Sequence, residues 1–554
     1  MLPSKTQTWI LPRGRELLCS VCSQRCLSAP PSGMFKDQLL TANTKHEGQV
    51  KHSQTALPFS KMLGPKGARR IPYIGTLLMF KPFSPYTIDT FDRMVSSKHD
   101  KYGAIFRMRM GKEYTVFTEN VADVVTIFRT EGPYPRRRLM NLNKVFRERN
   151  NLPLALGGLS GPEWHELRRP LNPLLNKPQM CLHYLSAQNN VADDFVKRLG
   201  ETTLSREQQC EEFFKYAAES IGVVCFNCRL GFLNSDLSSS RDKHNLLEAF
   251  KTVMHCNYVA MVGLERRYQF TEQDEFYQLY SRAMKLIAHE SMQYVEAVMS
   301  GLKAKQTSGS QTIEQESDLR AYIETNLLAS LIVNSNLEMN KIIAIIESLL
   351  VVGTDSTAKN LAVLLYNLAR HPEKQQKAAD EIMGIMGENE PVTPKTISEM
   401  HYLKACVKES MRLNFPTANG TMRILNQDTV LSGYLVPKDT NVILGMRRIA
   451  HDPRYYPDPE SYKPERWLRQ KQGSQTRRDE VVSRQAFTYL PFGHGARSCI
   501  GRRFAEMEIQ VAAAKILQKL QVRVDKSYEG LDPVYTPFIT PRVPIPFVFE
   551  KRKT

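Results

Sequence analysis

One segment in the C-terminal half of the chain is too long and too apolar to lie on the surface of a soluble protein. Residues 337–372 read LEMNKIIAIIESLLVVGTDSTAKNLAVLLYNLARHP and predict a single long helix. A helix that is apolar on most of its sides must run through a protein core. Around it, amphipathic periodicity from about Ser160 to Pro416 predicts mainly helical structure, and short strands with Pro-rich turns follow. The expected fold is mainly α with small β-sheets, an α+β architecture.

The size and charge of the chain limit what it can be. Its 554 residues would allow roughly three or four average domains, but the motifs described below spread over one continuous unit, so a single domain is predicted over residues 58–554. The net charge of +18 attracts acidic partners, which include nucleic acid, anionic lipid and acidic proteins. Because no zinc-finger spacing and no aromatic-interleaved basic segment occurs in the sequence, nucleic acid is not expected as a partner.

The N-terminal region has the composition of a targeting segment. Residues 1–34 contain four Lys or Arg residues, several hydroxyl residues and the single acid Glu16. Such a basic, acid-poor stretch is typical of a mitochondrial presequence, and no run approaches the ~20 apolar residues of a membrane span. We therefore predict a presequence over residues 1–34 and a flexible linker over residues 35–57, with an ordinary disordered tail as the alternative.

The ten cysteines are scattered and do not form a disulfide framework. Cys225 and Cys228 lie in IGVVCFNCRLG, which is better interpreted as a buried helix than as a metal or redox pair. Cys499 is different, because it lies in LPFGHGARSCIGRRFAEMEI between glycine-rich backbone and a predicted helix. Gly493 and its neighbouring glycines allow backbone to approach a flat ligand closely, and N–H groups at the helix start can hold a thiolate. A single thiolate suits an iron whose other positions are filled by a porphyrin.

Residues 492–501, FGHGARSCIG, resemble the haem-binding loop of the cytochrome P450 superfamily and match every fixed position of F-x-x-G-x-R-x-C-x-G. The resemblance implies haem b as the cofactor and Cys499 as the axial thiolate ligand of its iron. It also implies that Arg497 pairs with a haem propionate and that Phe492 packs over the thiolate. The overall resemblance extends over about residues 58–550.

The other motifs of the family occur in the expected order. Glu409 and Arg412 fit the helical E-x-x-R pattern, whose spacing puts both side chains on one helical face. Arg466, in YKPERW, resembles the arginine that completes a buried ionic triad with them in the family. Trp164 and Arg168 resemble the W-x-x-x-R helix that contacts a propionate. Arg423 stands where the family places another propionate-binding arginine.

The predicted core helix carries VGTDST, which resembles the family's [AG]-G-x-[DE]-T-T motif. The resemblance implies that Gly353 lets the helix open over the haem, and that Asp355 and an adjacent hydroxyl relay protons to dioxygen. Two residues depart from the pattern. Val352 replaces a small residue beside the oxygen site, and Ser356 replaces a threonine, losing the methyl group that restrains the rotamer. These departures predict looser proton delivery and more uncoupling.

Electrons must come from a partner, because no flavin or Fe–S motif occurs in this chain. Lys404 and Lys408, in YLKACVKESMRL, resemble the two basic residues with which the mitochondrial branch binds ferredoxin, and Arg502 and Arg503 match a basic pair of that branch. An acidic mitochondrial [2Fe-2S] ferredoxin, reduced by NADPH through its reductase, is therefore the expected partner. The expected location is the matrix side of the inner membrane, with peripheral membrane association.

The resemblance implies a monooxygenase that inserts one atom of O2 into a small lipophilic substrate, such as a sterol, steroid or secosteroid. Residues 133–162, 250–280, 416–421 and 538–540 are the candidate walls of its pocket. Two alternatives remain open. An isomerase or lyase on the same scaffold would rearrange a peroxide without external electrons, and a non-catalytic protein would only bind haem or a lipophile. A requirement for reduced ferredoxin, or Soret shifts without product, would separate these alternatives.

Overall fold

In this computed structural model, secondary structure is described for residues 56–138, 141–201, 203–234, 241–264, 270–306, 313–468 and 486–552. The predicted presequence, and the linker up to residue 55, lie outside the described residues. Contacts group Ala56–Thr554 into one compact unit. Among the residues described, none of the helices is both long and apolar enough to span a bilayer.

Helices form most of the described structure, as the amphipathic periodicity predicts. They are α1 (Ile74–Leu77), α2 (Phe91–Tyr102), α3 (Val121–Thr130), α4 (Asn141–Arg149), α5 (Gly161–Leu175), α6 (Pro178–His183), α7 (Leu185–Glu201), α8 (Arg206–Phe226), α9 (Arg241–Val259), α10 (Glu275–Gln306), α11 (Ile313–Thr325), α12 (Leu327–Asn334), α13 (Met339–Arg370), α14 (Pro372–Met386), α15 (Pro394–Glu399), α16 (His401–Leu413), α17 (Met446–Ala450) and α18 (Arg502–Lys519). A π-helical turn, Ala260–Leu264, follows α9.

The strands form small sheets. They are β1 (Leu57–Pro58), β2 (Ile105–Met110), β3 (Glu113–Thr118), β4 (Gly420–Ile424), β5 (Thr429–Leu431), β6 (Tyr434–Val436), β7 (Asn441–Gly445), β8 (Leu520–Val524), β9 (Pro533–Tyr535), β10 (Ile539–Pro541) and β11 (Phe547–Lys551). The largest sheet has the order β2-β3-β7-β4, and the others are β1-β6-β5, β10-β9 and β11-β8. In the β2–β3 hairpin Met110 pairs with Glu113, and the two-residue turn needs Gly111, whose φ is 65°.

Helix α13 is the predicted core helix. Its Ile345, Ile346, Leu361 and Leu365 are fully buried, and burial of each such side chain contributes about 1.5–3 kcal/mol. Helix α8 packs closely on α13 at Gly353, where a Cβ atom would lie 2.8 Å from Cγ1 of Ile221. This close approach, together with the apolar sides of the helix, fixes α13 inside the molecule.

The composition of residues 302–318, LKAKQTSGSQTIEQESD, is typical of an exposed loop. That expectation is wrong at both ends, because α10 extends to Gln306 and α11 begins at Ile313, while residues 307–312 lie outside the described residues. Helix α13 is continuous α-helix across Gly353, which packs closely against Ile221. The opening over the haem predicted for Gly353 stays a prediction.

Candidate active site around Cys499

The loop that carries Cys499 is closed by its own backbone. The N–H of Cys499 donates to the carbonyl of Phe492 (2.8 Å), and the N–H of Ser498 donates to the carbonyl of Gly495 (3.0 Å). Gly493 and Gly495 both have a φ of 72°, a left-handed conformation that side chains with a Cβ rarely adopt. Helix α18 begins at Arg502, three residues after the cysteine. The loop therefore presents one thiol at the start of a long helix.

The thiol of Cys499 faces an internal space. Protein atoms surround the residue, yet its side chain is accessible. Burial raises the pKa of the Cys499 thiol, while the Gly501 N–H and the cations of Arg168 and Arg502 oppose that rise. A bound metal cation would lower the pKa of this thiol instead, since a thiol that coordinates a metal is deprotonated. Val352, in the middle of the buried helix α13, is 43% exposed, which is consistent with a cavity beside that helix.

Arginines gather beside this loop. Arg168 donates from Nη2 to the carbonyl of Ser498 (3.0 Å) and from Nε to Oδ1 of Asn172 (2.8 Å). Burial lowers the pKa of Arg168 to about 10, and burial together with Arg423 and Arg168 lowers that of Arg137 to about 10. All of these guanidinium groups remain charged at neutral pH, although they repel one another.

Arg497 has the most crowded environment of the group. Its guanidinium lies 4.1 Å from the centroid of the buried Trp164 ring, and its Nη2 donates to the carbonyl of Leu159 (2.6 Å) and to Oγ of Ser160 (3.1 Å). Burial and the neighbouring arginines lower its pKa to about 9. Its Nη1 is buried without a hydrogen-bond partner. A buried donor without a partner is costly, which favours an acceptor supplied by a ligand.

Arg423 is already engaged by protein. Its Nε donates to Oε2 of Glu131 (2.5 Å) and its Nη2 to the carbonyl of His494 (3.1 Å). Burial raises the pKa of Glu131, and the pairing with Arg423 opposes the rise. Glu131 also lies against Gly495, where a Cβ atom would be 2.5 Å from its Oε1. Glu131 thus compensates one cation of the pocket, and the predicted propionate contact of Arg423 stays a prediction.

The residues around Cys499 fit a haem group. Four arginines surround the pocket and Glu131 compensates one of them, which leaves an excess of positive charge suited to a dicarboxylate. Arg497 offers an unpartnered donor, and Cys499, two residues later in the same loop, offers an accessible thiol. The ring contact predicted for Phe492 stays a prediction; its backbone carbonyl, as described above, accepts from Cys499.

Glu409, Arg412 and Arg466 come together as a buried ionic cluster. The carboxylate of Glu409 accepts from Nε (2.9 Å) and Nη2 (2.8 Å) of Arg412, and from Nε of Arg466 (2.9 Å). Arg412 and Glu409 are both fully buried. Nε1 of Trp467 adds a further hydrogen bond to Glu409 (2.8 Å). The cluster ties helix α16 to the turn at residues 463–467.

The acid and hydroxyl predicted for proton delivery are both on α13. Ser356 donates from Oγ to the carbonyl of Val352 (2.9 Å), one helical turn earlier. Asp355 is buried and pairs with Lys359 one turn later, with Oδ1 and Nζ 2.8 Å apart. Burial raises the pKa of Asp355, and Lys359 is the main opposing influence. Both groups that are expected to move protons therefore have a partner on their own helix.

The residues predicted to bind ferredoxin lie on α16 and at the start of α18. Lys408 is exposed, with its Nζ 5.9 Å from the centroid of the Trp467 ring, while Lys404 is half-buried and donates to the carbonyl of Ser398 (2.8 Å). Arg502 and Arg503 are exposed. The lysines line a depression of about 540 Å³ whose other walls are His401, Ala405, Trp467 and Leu468.

Tyr489 connects the two parts of this basic surface. Its ring centroid is 4.6 Å from that of Trp467, and its hydroxyl donates to the backbone carbonyl of Lys408 (3.1 Å). Burial raises its pKa, on which Glu506 and Arg502 also act. Tyr489 therefore joins the backbone of α16 at Lys408 to the ring of Trp467, on the side of the molecule where Arg502 of α18 influences its pKa.

Comparisons with known proteins identify the family of this chain. The cytochrome P450 family model matches residues 65–549, and the chain belongs to that family. Relatives include "Probable cytochrome P450 12d1 proximal, mitochondrial" from Drosophila melanogaster, 29% identical over 85% of this chain and 88% of that protein. "Cytochrome P450 27C1" from Danio rerio is 28% identical over 87% of this chain and 86% of that protein. The solved structure "Retinoic acid bound cyanobacterial CYP120A1" has a TM-score of 0.68 and 19% identity, and covers 89% of this chain and all of that one.

These findings confirm the predicted fold, the resemblance to mitochondrial members of the family and the assignment as a P450 monooxygenase. The fold implies a haem-thiolate cofactor. Sequence reasoning missed Arg137, which is hidden in the basic run RRR at residues 136–138, and Glu131, which nothing in the sequence marks as the partner of a distant arginine. It also missed Lys359, although a lysine four residues after Asp355 on a buried helix is a visible signal.

Proposed function

We propose that this chain is a haem b monooxygenase that takes electrons from NADPH through a mitochondrial ferredoxin and oxidises a small lipophilic substrate. The accessible thiol of Cys499 beside an excess of buried positive charge is the observation that carries the proposal. When bound, thiolate-ligated haem supplies the reductive activation of dioxygen. Relatives whose names state a mitochondrial origin support a location on the matrix side of the inner membrane, with peripheral membrane association.

The chain's own residues have distinct tasks in this proposal. Cys499 would hold the haem iron through its thiolate, and Arg137, Arg168 and Arg497 would hold the haem carboxylates through charge-assisted hydrogen bonds. The loop glycines and the wall around Trp164 exclude water from that end of the pocket. The Glu409 cluster ties helix α16 to the turn at residues 463–467.

Proton delivery is assigned to α13. Asp355, whose pKa is raised by burial, can take up a proton from solvent and pass it toward Ser356 and the pocket that Val352 faces. Ser356 must release the carbonyl of Val352 before its hydroxyl can act, because the present hydrogen bond uses its only proton.

The first test is the carbon monoxide difference spectrum of the dithionite-reduced protein, compared with that of Cys499→Ala. We expect a Soret band near ~450 nm in the wild type and its absence in the variant. Haem uptake without that band would remove Cys499 as the thiolate ligand in the reduced state. Correctly folded protein that takes up no haem would overturn the proposal.

The ferredoxin proposal has its own test. Lys408→Glu reverses one exposed charge of the basic surface, and Lys526→Glu is a matched control at another exposed position. We expect Lys408→Glu to weaken ferredoxin binding roughly tenfold or more at low salt and the control to leave it nearly unchanged. Equal losses in both variants would show that only net charge matters. Turnover without any reduced ferredoxin would favour the isomerase or lyase alternative.

A further inference from the structure

Lys359 is a buried lysine that contacts the proposed proton donor directly. Its Nζ lies 2.8 Å from Oδ1 and 3.0 Å from Oδ2 of Asp355, so one ammonium group bridges both carboxylate oxygens. The exposed fractions of the two side chains are 9% and 2%. Lysine is almost never buried unless it is paired. Neither Lys359 nor the charged form of Asp355 would therefore be buried here without the other.

The same ammonium group reaches a second element. Its Nζ lies 3.3 Å from Oγ1 and 3.4 Å from the carbonyl oxygen of Thr536, in the turn that joins β9 to β10. Oγ1 of Thr536 is also 3.0 Å from Oγ1 of Thr540 in β10. Lys359 therefore connects the core helix to the turn that precedes residues 538–540, one of the predicted walls of the substrate pocket.

Other charged groups are near but do not replace this lysine. Helix α9 contributes Lys251, which acts on the pKa of Asp355, and His255, on whose pKa Lys359 acts. Helix α8 contributes Cys210, whose raised pKa is due mainly to burial and partly to Asp355. Lys251 itself is paired with Glu248 at 2.7 Å. The ammonium of Lys359 is thus the cation that contacts the carboxylate.

We propose that Lys359 is a positioning residue, which holds the Asp355 carboxylate in one orientation and moves its hydrogen bonds to Thr536 when that carboxylate is protonated or rotates away. The two oxygens of Thr536 make this exchange possible, because the buried ammonium group then keeps acceptors when Asp355 leaves. Release of the acid is thereby linked to the position of the β9–β10 turn. The inference rests on the proposed function, since it takes Asp355 as the proton donor.

The test uses the holoenzyme with ferredoxin, its reductase and NADPH, without added substrate. The ratio of hydrogen peroxide formed to NADPH consumed is measured as a function of pH. Dioxygen that receives further protons and electrons yields water instead of peroxide, so this ratio reports proton delivery. For Lys359→Met we expect the apparent pKa of this profile to rise by about one unit or more, since a cation in contact with a carboxylate lowers its pKa by about 1–3. Lys359→Arg should restore the wild-type profile.

Two further measurements separate a positioning role from a merely structural one. Thr536→Val removes the hydroxyl acceptor at nearly constant shape. Because the ammonium group then has fewer acceptors when Asp355 is protonated, this variant should move the pH profile in the opposite direction and by less. A cycle of Lys359→Met, Asp355→Asn and the double variant, followed by thermal unfolding, should show that the double variant is more stable than Lys359→Met, because it leaves no unpaired buried charge.

The outcomes are distinguishable from failure of the proposed function. An unchanged pH profile in Lys359→Met, with Asp355→Asn altering it, would overturn the role of Lys359 alone. If Asp355→Asn also leaves the profile unchanged, Asp355 does not deliver protons and both inferences fall. If the ~450 nm band is absent from the wild type, the proposed function itself is refuted before Lys359 is tested.

Discussion

Glu508 should make the stability of the folded chain depend on pH. It lies on α18, is 2% exposed, and accepts a hydrogen bond from Oγ1 of Thr357 (3.3 Å). Its Oε1 has no partner. Burial raises the pKa of Glu508 from the ordinary value of 4.5 to about 7, with no cation among the causes that oppose the rise. The folded state therefore keeps this proton over a pH range in which the unfolded chain has lost it.

The sign and size of the effect follow from linkage. Between pH 4.5 and 7 the unfolded chain binds fewer protons at this position than the folded one, so stability falls as pH rises. Since one pKa unit corresponds to about 1.4 kcal/mol, the loss is about 3 kcal/mol by the time the pH exceeds 7. Glu508→Gln keeps the shape and removes the titration. We expect the variant to match the wild type near pH 4.5 and to be about 3 kcal/mol more stable near pH 8.

Thermal unfolding of the wild type and of Glu508→Gln, at several pH values across the range given above, measures this difference in stability. Glu529→Gln, at an exposed glutamate, is the matched control and should leave the pH dependence as it is. A Glu508→Gln variant whose stability runs parallel to that of the wild type at all pH values would refute the reasoning. It would mean that Glu508 has an ordinary pKa in the folded protein.

Three other variants test other parts of the site. Glu409→Gln leaves the buried guanidinium of Arg412 without its counter-charge and should cost about 3–5 kcal/mol, seen as a lower unfolding midpoint. Arg137→Gln should speed the transfer of haem to apomyoglobin roughly tenfold or more, since a hydrogen bond to a charged group is worth about 1.5–3 kcal/mol; an unchanged rate would remove Arg137 from the haem site. Ser356→Thr restrains the hydroxyl and should lower the peroxide released per NADPH consumed, while an unchanged ratio would show that the missing methyl group is unimportant.

Periodicity and motifs predicted the architecture because they report local physics. The apolar sides of residues 337–372 required a buried helix, and α13 is that helix. The E-x-x-R spacing placed Glu409 and Arg412 on one helical face, where they form their ion pair. Each of these predictions depends on residues that are close in sequence, so contacts with distant parts of the chain have little influence on their outcome.

The remaining features depend on distant partners, which a single sequence does not reveal. Glu131 and Arg423 are 292 residues apart, and only the folded chain brings their side chains together. The close contact of Gly353 with Ile221 on helix α8 is of the same kind, because nothing in the sequence near either residue marks the other as its neighbour. A motif thus predicts which residues are present in the site, whereas their hydrogen-bond partners are decided by packing.

The positive charge of this chain has two different physical uses. The net charge of +18 suggested an acidic partner, and Lys408, Arg502 and Arg503 are indeed exposed. Arg137, Arg168 and Arg497, by contrast, are held close together beside Cys499. Burial lowers the pKa of all three, and repulsion from neighbouring arginines lowers those of Arg137 and Arg497 further. Such repulsion is unfavourable for the protein alone and is relieved when an anionic group binds between the arginines. The bound dicarboxylate should therefore stabilise the fold as well as supply chemistry, and loss of haem should lower the unfolding midpoint more in the wild type than in Arg137→Gln.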